Sequence, residues 1–167
     1  MMNITAGQVL MSAPTLADPN FESVAIFIAE HNAKGALGFV INRLHPRTFN
    51  ELLEYNQSLP FKLYEGGPVE KESLFFLHRR PDLIEGGTHI MDSIYLGGDF
   101  KQAVQCINDK TISETELKLF IGYCGWDDGE LEAEVEEGSW LITDTNSQTV
   151  FTPNTGSLWG NFYNKRK

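Results

Sequence analysis

Apolar runs of strand length dominate the chain. Residues 24–30 and 36–42 are each rich in β-branched and aromatic side chains, as is typical of strands buried in a sheet. The loop between them, residues 31–35, ends in Gly35, and glycine readily takes the positive φ that a bulged hairpin turn requires. The two runs are therefore predicted to pair as a hairpin.

Shorter runs of the same character predict further strands at residues 8–12, 73–78, 89–95 and 139–143. A polar turn at Asp18-Pro19 follows the first of these strands. Pattern alone thus indicates a chain in which strands outnumber helices.

One helix-start pattern, at residues 113–116, is rejected in favour of a strand. After it, Leu117 and Leu119 alternate with Lys118 and Phe120, which is the period of two that strands show. A strand is therefore predicted to begin at residue 117.

Helix N-termini are predicted where a capping residue is followed three positions later by Glu or Gln. Thr48 with Glu51 and Asp99 with Gln102 fit this pattern, and apolar residues at helical spacing follow the second pair. A last short helix is predicted at residues 157–163.

A third capping pair, Asp127 with Glu130, lies in a segment rich in glycine and tryptophan. Trp126 precedes the cap and Leu131 occupies the fourth helical position, which is the arrangement of a hydrophobic staple. The segment is predicted to turn tightly into an acidic helix at residues 129–137.

Together the elements predict one mixed α/β (α+β) domain over residues 1–167, dominated by β-structure and with helices at its margins. No run approaches the roughly 20 apolar residues that span a bilayer, and the first residues show no signal-peptide pattern. Cys106 and Cys124 have no CxxC spacing, so a reducing cytoplasm is the expected compartment. Whether these two cysteines lie close together stays open.

Acidic residues outnumber basic ones by 23 to 13, which gives a formal net charge of −10. Because non-specific affinity for nucleic acids comes largely from basic side chains, direct binding of DNA or RNA is not expected. The candidate basic patches, Arg79-Arg80 and residues 165–167, are short, and the sequence has neither a basic helix-turn-helix nor zinc-finger spacing.

Thiol and imidazole side chains offer candidate chemistry, each with a structural alternative. Cys124 with His31 or His78 would supply a nucleophile and its base, but the acidic residues at 127–130 would raise the pKa of the thiol. The two imidazoles with an aspartate of that stretch lack the usual spacing of metal ligands. Structural roles are favoured for all three side chains, so no catalytic residue, metal or cofactor is predicted.

Two glycine pairs, Gly66-Gly67 and Gly97-Gly98, resemble parts of phosphate-binding loops. Neither fits a P-loop or a dinucleotide fingerprint, and Asp99 would occupy the free amides of the helix after the second pair. Tight turns are the favoured use of these glycines.

Asn42-Arg43, at the end of a strong predicted strand, is the most suggestive polar pair. Arg43 would either clamp a carboxylate or phosphate of a ligand or pair with an acidic residue of the chain. Trp126 and Trp140 would either form the floor of a ligand pocket, with Arg43 and His78 at its rim, or serve as core residues. The candidate binding residues are His31, Asn42, Arg43, Gly66, Gly67, His78 and Trp126.

Motifs follow one order along nearly the whole chain. They lie at residues 7–14, Asp18-Pro19 with Phe21, residues 30–43, Gly66–Val69, Leu77-His78, Gly122–Trp126, Gly129–Glu132 and Trp140. This order resembles the bacterial YqgE/AlgH family. The resemblance implies a single compact fold of coiled, bifurcated β-sheets edged by helices. Two positions depart from the family pattern: Glu130 stands where Gln is usual, and Cys124 where Ala is common.

The resemblance implies no defined reaction. One branch of the family takes its name from the regulation of alginate production, and members are often labelled transcriptional regulators. We therefore predict a non-enzymatic cytoplasmic binding or regulatory module that acts through a protein or small-molecule partner, indirectly on transcription and away from membranes. The alternative is a hydrolase or transferase that uses a groove near His31, Arg43, His78 and Trp126, and the third hypothesis is direct nucleic-acid binding.

Overall fold

A computed structural model describes residues 4–14, 23–153, 155–156 and 158–165. The strands in these residues are β1 (Val9–Ser12), β2 (Ala25–Asn32), β3 (Gly35–Val40), β4 (Leu44–Thr48), β5 (Lys62–Glu65), β6 (Val69–His78), β7 (Thr88–Met91), β8 (Ile94–Leu96), β9 (Leu117–Asp127) and β10 (Trp140–Thr143). The helices are α1 (Phe100–Asn108), α2 (Glu130–Glu136), α3 (Ser147–Val150) and α4 (Leu158–Lys165), and two short 3-10 helices span Phe49–Glu51 and Leu53–Tyr55.

The strands join into one sheet in the order β10-β1-β2-β3-β9-β6-β8-β7, with β5 added to β9 and β4 added to β5. The pairing of β5 with β9 is parallel, and the other strand pairs are antiparallel. The predicted hairpin is confirmed, because β2 pairs with β3 and Gly35 has a φ of 134°. A Cβ at Gly35 would overlap the carbonyl oxygen of Trp126, so this position also needs glycine for space.

The sheet divides at β9. One edge of this strand pairs with β6, while the other pairs with β5 at Leu119–Ile121 and with β3 at Cys124–Asp127. Gly122 lies at the change of partner and has a φ of 77°. Phe120 and Cys124 are both even positions, yet they pack in different core clusters, so the side chains change face there. The prediction of a β-dominated mixed fold with a bifurcated sheet is confirmed.

Gly66 and Gly67 lie where the backbone that leaves β5 crosses β9. The amide of Gly66 donates to the carbonyl of Ile121 over 2.8 Å, and its own carbonyl accepts from the last residue of β3. A Cβ on Gly66 would overlap the carbonyl oxygen of Gly122, and one on Gly67 would overlap the backbone of Tyr123. The predicted tight turn is therefore a close backbone crossing, in which no side chain fits between the strands.

Apolar side chains pack in three clusters. One face of β1, β2 and β3 packs with α3 and α4 around Phe27, and the opposite face packs with α2 around Ile26. A third cluster joins α1 to β5, β6 and the first half of β9, for example through Ala103 and Leu119. Because residues 9–11 of β1 and 25–29 of β2 are buried on both faces, each of these stretches is a continuous apolar run.

The helix predictions at Asp99 and Thr48 have different outcomes. The carboxylate of Asp99 accepts from the amide of Gln102 over 3.2 Å, which confirms the start of α1. Glu51 also accepts from the amide of Thr48, over 2.9 Å, but Leu52 is extended with φ −76° and ψ 134°. That residue breaks the segment into 3-10 turns, so the predicted α-helix does not form.

The predicted cap at Asp127 is wrong by two residues. β9 continues through Asp127, and α2 is capped by Gly129, whose φ is 80°. The carboxylate of Glu130 still accepts from the amide of Asp127 over 3.1 Å, so the predicted pair meets across the turn. Trp126 and Leu131 share one core cluster, as the predicted staple requires.

The predicted strand at residues 89–95 is instead the hairpin of β7 and β8, because Asp92 takes a φ of 48° and turns the chain. β4, β5 and α3 have no counterpart among the predicted elements, and α4 corresponds to the helix predicted at residues 157–163. Asp18-Pro19, Phe21 and the basic residues 166–167 lie outside the described residues. Within those residues, every helix is too short or too polar to cross a bilayer.

Candidate functional site

Helix α2 is fastened over the sheet by two of its glutamates. His31, Ala36 and Trp126 are in register across β2, β3 and β9, so their side chains share one face. The Nε2 atom of His31 lies 2.6 Å from the carboxylate of Glu132, and this hydrogen bond holds the pKa of Glu132 below its usual range. His31 thus has a structural contact, with the carboxylate of Glu132 as its partner.

Glu134 holds the two tryptophans of this face. Its Oε1 atom accepts from the indole of Trp126 over 2.9 Å and from the indole of Trp140 over 2.8 Å. The two rings meet edge to face at 6.3 Å between centroids, and both are buried. The two tryptophans therefore anchor α2 to β9 and β10. This contact matches the alternative in which Trp126 is a core residue and not the floor of a ligand pocket.

His78 is completely buried at the end of β6 and uses both ring nitrogens. Its Nε2–H donates to the carbonyl of Gly97 over 3.0 Å, and its Nδ1 accepts from the amide of Arg80 over 3.1 Å. Burial lowers the pKa of His78, which favours the neutral ring that these bonds require. The imidazole closes a turn and has no capacity left for general base chemistry.

Cys124 is a buried thiol, as its structural alternative requires. Its Sγ atom lies 3.5 Å from the carbonyl oxygen of Gly66 and donates to it. Burial raises the pKa of Cys124 to about 12, and the nearby Arg43 guanidinium opposes part of this rise. Cys106 lies on α1 and packs in a different cluster, and both cysteines are free. At neutral pH Cys124 is therefore a thiol without nucleophilic strength.

The two arginines of the predicted basic patch serve the fold. Arg80 binds both carboxylate oxygens of Asp82, at 2.9 and 2.7 Å, and reaches Glu116 at 2.9 Å. Arg79 donates to the Ser93 hydroxyl over 3.3 Å and packs over the ring of Phe151. Carboxylates thus offset the charge of Arg80, and both arginine side chains are held by contacts within the fold.

Arg43 lines a cavity at the fork of the sheet. The cavity has a volume of about 190 Å³, and we call it the Arg43 pocket. It is lined by Val40, Arg43, His45, Glu65, Gly67, Pro68, Lys71 and Ile121. Residues at the ends of β3 and β5 form its walls, and Ile121 precedes the glycine at which β9 changes partner.

A larger, open groove of about 850 Å³ continues from the Arg43 pocket, with which it shares His45, Lys71 and Ile121. We call it the Leu53 groove. It is lined in addition by Pro46, Arg47, Leu52, Leu53, Glu54, Tyr55, Glu72, Ser73, Leu74 and Phe100. Its apolar wall is the solvent side of the cluster that packs α1 against the sheet.

The Leu53 groove carries a strongly exposed apolar side chain. Among the described residues, the large apolar side chains most open to solvent are Leu53 at 85%, Leu44 at 54% and Val69 at 36%. Leu53 lines the groove, whereas Val69 lines a separate hollow with Tyr123 and Trp126. An exposed leucine on the wall of a partly apolar groove is suited to contact with a partner.

The structure brings only part of the predicted groove together. Arg43 and Gly67 line the Arg43 pocket, whereas Trp126 and His31 lie under α2. His78 pairs with Leu117, nine positions before Trp126 on β9, and nine positions correspond to roughly 30 Å along the strand at about 3.3 Å per residue. A hydrolase or transferase site shared by all four side chains therefore has no support. No group of three or more potential metal ligands occurs in the described part of the chain.

Lys118 on β9 is a buried ionisable residue that the sequence pattern did not single out. Its Nζ atom donates to the carbonyls of Ile41 over 2.8 Å and Val150 over 3.0 Å, and lies 4.2 Å from the centre of the Tyr64 ring. Burial lowers the pKa of Lys118 to about 7. The sequence does contain a signal for the burial of Lys118. Phe120, two positions later, shares its side of the strand and indicates an apolar face.

Comparison with known proteins gives the family. A family model described as AlgH-like matches residues 9–166. The chain belongs to the AlgH-like family. A UPF0301 protein of Cytophaga hutchinsonii is 39% identical over 159 residues, which cover 95% of this chain and 87% of that protein. A UPF0301 protein of Chlorobaculum tepidum is 36% identical over 153 residues, covering 92% of this chain and 82% of that protein.

Solved structures agree with this AlgH-like assignment. The solution structure of the AlgH protein from Pseudomonas aeruginosa matches with a TM-score of 0.79 at 26% identity, over 99% of this chain and 92% of that one. The crystal structure of a Corynebacterium diphtheriae protein matches with a TM-score of 0.81 at 20% identity, over 99% and 88%, and shows the fold alone. The family resemblance of the motifs is confirmed, and none of these AlgH-like matches carries a named reaction.

Proposed function

We propose that this AlgH-like protein is a non-enzymatic binding or regulatory module of the cytoplasm, whose protein or small-molecule partner occupies the Arg43 pocket and the Leu53 groove. The observation that carries the proposal is Leu53, which is 85% exposed on the wall of the larger hollow beside the partly buried apolar side chains of Leu52, Leu74 and Phe100. Burying such side chains against a partner is favourable by roughly 25 cal/mol per Å² of apolar surface.

The placement of the other candidate residues supports binding over catalysis. The thiol of Cys124 is buried, the ring of His78 bonds two backbone groups, and the ring of His31 bonds Glu132. Each is occupied by a contact within the fold, and these contacts explain the side chains without a reaction. We extend the proposal to residues 1–167 as one domain, because a single sheet contains every described strand.

Any influence on transcription is proposed to be indirect. The chain carries a net charge of −10, and Arg79 and Arg80 are held by contacts within the fold. A partner protein or a small-molecule signal is therefore the better route than contact with DNA.

The test compares wild-type protein with Leu53→Asp. Each protein is immobilised and exposed to a native bacterial lysate and to its small-molecule fraction, and retained species are identified by mass spectrometry. We expect wild type to retain a reproducible set that elutes chemically unchanged, and Leu53→Asp to lose it. Gln105→Asp, which places the same charge on the exposed face of α1, serves as the control and should behave as wild type.

Two results would remove the proposal. One is conversion of a retained metabolite to a new product by the pure protein, which would make it an enzyme. The other is equal retention by wild type and Leu53→Asp, which would place the binding surface elsewhere.

A further inference from the structure

We infer that the Arg43 pocket holds the anionic end of a small organic ligand, a carboxylate or a phosphate ester, while the Leu53 groove holds the apolar body of the same molecule. The inference rests on the proposed function and adds to it the chemistry of the ligand.

Charge in the pocket is reversed relative to the chain as a whole. Arg43, His45 and Lys71 line the pocket, and Glu65 is the only carboxylate among its eight lining residues. Acidic residues outnumber basic ones by 23 to 13 in the full sequence. A concave site with a local excess of cations attracts an anion and gives it charge-assisted hydrogen bonds. The single glutamate favours a ligand of low charge.

The backbone presents Arg43 at the pocket wall, and Asn42 is the positioning residue. The Oδ1 atom of Asn42 accepts from the amide of Ala25 over 2.9 Å, and its Nδ2 atom donates to the carbonyl of Ser23 over 3.0 Å. The carbonyl of Arg43 accepts from the amide of Glu65 over 2.8 Å. The turn after β3 is thus tied to β2 and to β5, which explains why the predicted pair Asn42-Arg43 works as a unit.

The two volumes divide the ligand into a head and a body. A cavity of about 190 Å³ is equivalent to roughly six water molecules at about 30 Å³ each, enough for a phosphate or carboxylate group with a few further atoms. The adjoining groove of about 850 Å³ has an apolar wall that includes Leu74, Phe100 and Ile121. A head group bound beside Lys71 would therefore continue into apolar surroundings.

A nucleic acid suits this surface less well than a small anion. Glu54 and Glu72 offset the charges of Arg47 and Lys71 along the groove, so a run of phosphates would meet no net positive charge there, whereas one anionic group can stay beside Arg43 and Lys71 in the pocket. The experiment separates a small anion from the side chain of an acidic peptide.

The test uses three probes with the same eight-carbon chain: octanoate, octyl phosphate and uncharged octan-1-ol. Amide chemical shifts of isotopically labelled protein are followed during each titration. We expect at least one of the two anions to bind about tenfold more tightly than octan-1-ol, with the largest shifts at residues of the pocket and the groove. The better anion identifies the head group.

Variants test the assignment of charge. Lys71→Gln, at an exposed position, should weaken the preferred anion about fivefold or more and leave octan-1-ol unchanged. Arg43→Gln should act in the same direction, and Lys71→Gln decides the matter should Arg43→Gln fail to fold. Lys101→Gln, exposed on α1 and not among the lining residues of either hollow, is the matched control and should change neither affinity.

Equal affinity for octan-1-ol and both anions would overturn the inference, as would anion binding that ignores Lys71→Gln or maps outside the pocket. Tighter binding of a glutamate-rich nonapeptide than of either anion would also overturn it, in favour of a protein partner. The proposed function survives any of these results if Leu53→Asp still abolishes capture from the lysate. Both fall together if Leu53→Asp changes nothing.

Discussion

At the scale of single residues, a buried ionisable group affects the stability of this fold. Lys118 places an amine between two backbone carbonyls and the face of Tyr64 without a carboxylate among these contacts. Desolvation therefore favours its neutral form, which still has two N–H donors for the two carbonyls. The residue joins the end of β3 and the end of α3 to β9.

This arrangement predicts a pH-dependent stability. The pKa of Lys118 is about 7 in the folded protein, whereas the pKa of an unperturbed lysine is 10.5, so between these values the unfolded chain binds a proton that the folded chain does not. The free energy of unfolding should then rise as pH increases from 7 to about 10, by at most about 1.4 kcal/mol per pH unit, and this contribution should be constant at its minimum below pH 7. Urea unfolding at several pH values measures the slope.

The Lys118 slope is isolated by difference. Lys118→Met should lose the rise between pH 7 and 9.5, while Lys101→Met, at an exposed position on α1, should keep the wild-type slope. The stability of Lys118→Met at any one pH also reflects two carbonyls that lose a donor, so the slope is the decisive quantity. Parallel curves for wild type and Lys118→Met would refute the prediction.

Glu134 is a second residue whose removal has a calculable consequence. In Glu134→Ala the buried indoles of Trp126 and Trp140 would lose the oxygen that both now share. Removing the acceptor of a buried donor costs about 1–3 kcal/mol, so for two indoles we expect a loss of about 2–6 kcal/mol in unfolding free energy. Glu134→Gln keeps a side-chain oxygen and should lose less. Denaturant unfolding followed by tryptophan fluorescence measures both.

The control for Glu134 lies on the same helix. Glu136→Ala changes an exposed carboxylate of α2 and should shift stability by no more than about 0.5 kcal/mol. If Glu134→Ala costs no more than Glu136→Ala, the shared hydrogen bond does not hold α2 to the sheet.

At the scale of elements, the crossing at Gly66 explains how the sheet can divide. Gly66→Ala would force its Cβ into the carbonyl oxygen of Gly122, which belongs to the backbone and has no rotamer with which to move aside. We expect a loss of more than about 3 kcal/mol, or failure to fold, because two strands must separate. Thermal unfolding by circular dichroism gives the comparison.

Gly160 provides the matched substitution. It lies in α4, and a Cβ there would have no neighbour within 4 Å. Gly160→Ala should therefore stabilise the protein by up to about 1 kcal/mol, as alanine does in a helix interior. Similar melting temperatures for Gly66→Ala and wild type would mean that the crossing tolerates a side chain.

Local sequence predicts those elements whose signal lies within the element itself. The β2–β3 hairpin, β9 and α1 are predictable because apolar period, turn glycine and cap all occur within a few residues. β5 has only four residues and depends on its parallel contact with β9, which no local pattern encodes. The predicted strand at 89–95 fails for a related reason, since Asp92 turns a run that reads as continuous.

The candidate site follows the same rule. Arg43 and Gly67 could be singled out from sequence because a guanidinium at a strand end and a glycine pair are unusual locally. No such local signal marks Lys71, His45 or the exposed Leu53. These residues line the candidate site because the fold brings β3, β5 and β6 together. His78 has an equally strong local signal as an imidazole at a strand end, but the fold places it far from that fork.

For the molecule as a whole, the division of the sheet and the surface charge together define where a partner can bind. β3 and β5 diverge from one edge of β9, and the Arg43 pocket lies between their ends. Elsewhere the excess of acidic side chains repels anionic partners, whereas the pocket itself attracts an anion. Such an arrangement selects a small anion that can enter the pocket over a large polyanion that must also lie on the surrounding surface.

This contrast predicts that duplex DNA binds more weakly than about 10⁻⁴ M at physiological salt, the weak end of ordinary non-specific binding. Arg80 is held by Asp82 and Glu116, whose charges offset its own, and Arg79 is then one cation of this patch in a chain of net charge −10. Fluorescence anisotropy of labelled DNA between 50 and 300 mM salt measures the affinity and its salt dependence. Micromolar binding that falls steeply with salt and weakens in Arg80→Gln would show that this pair does contact DNA, and the indirect role proposed for the protein would then be wrong.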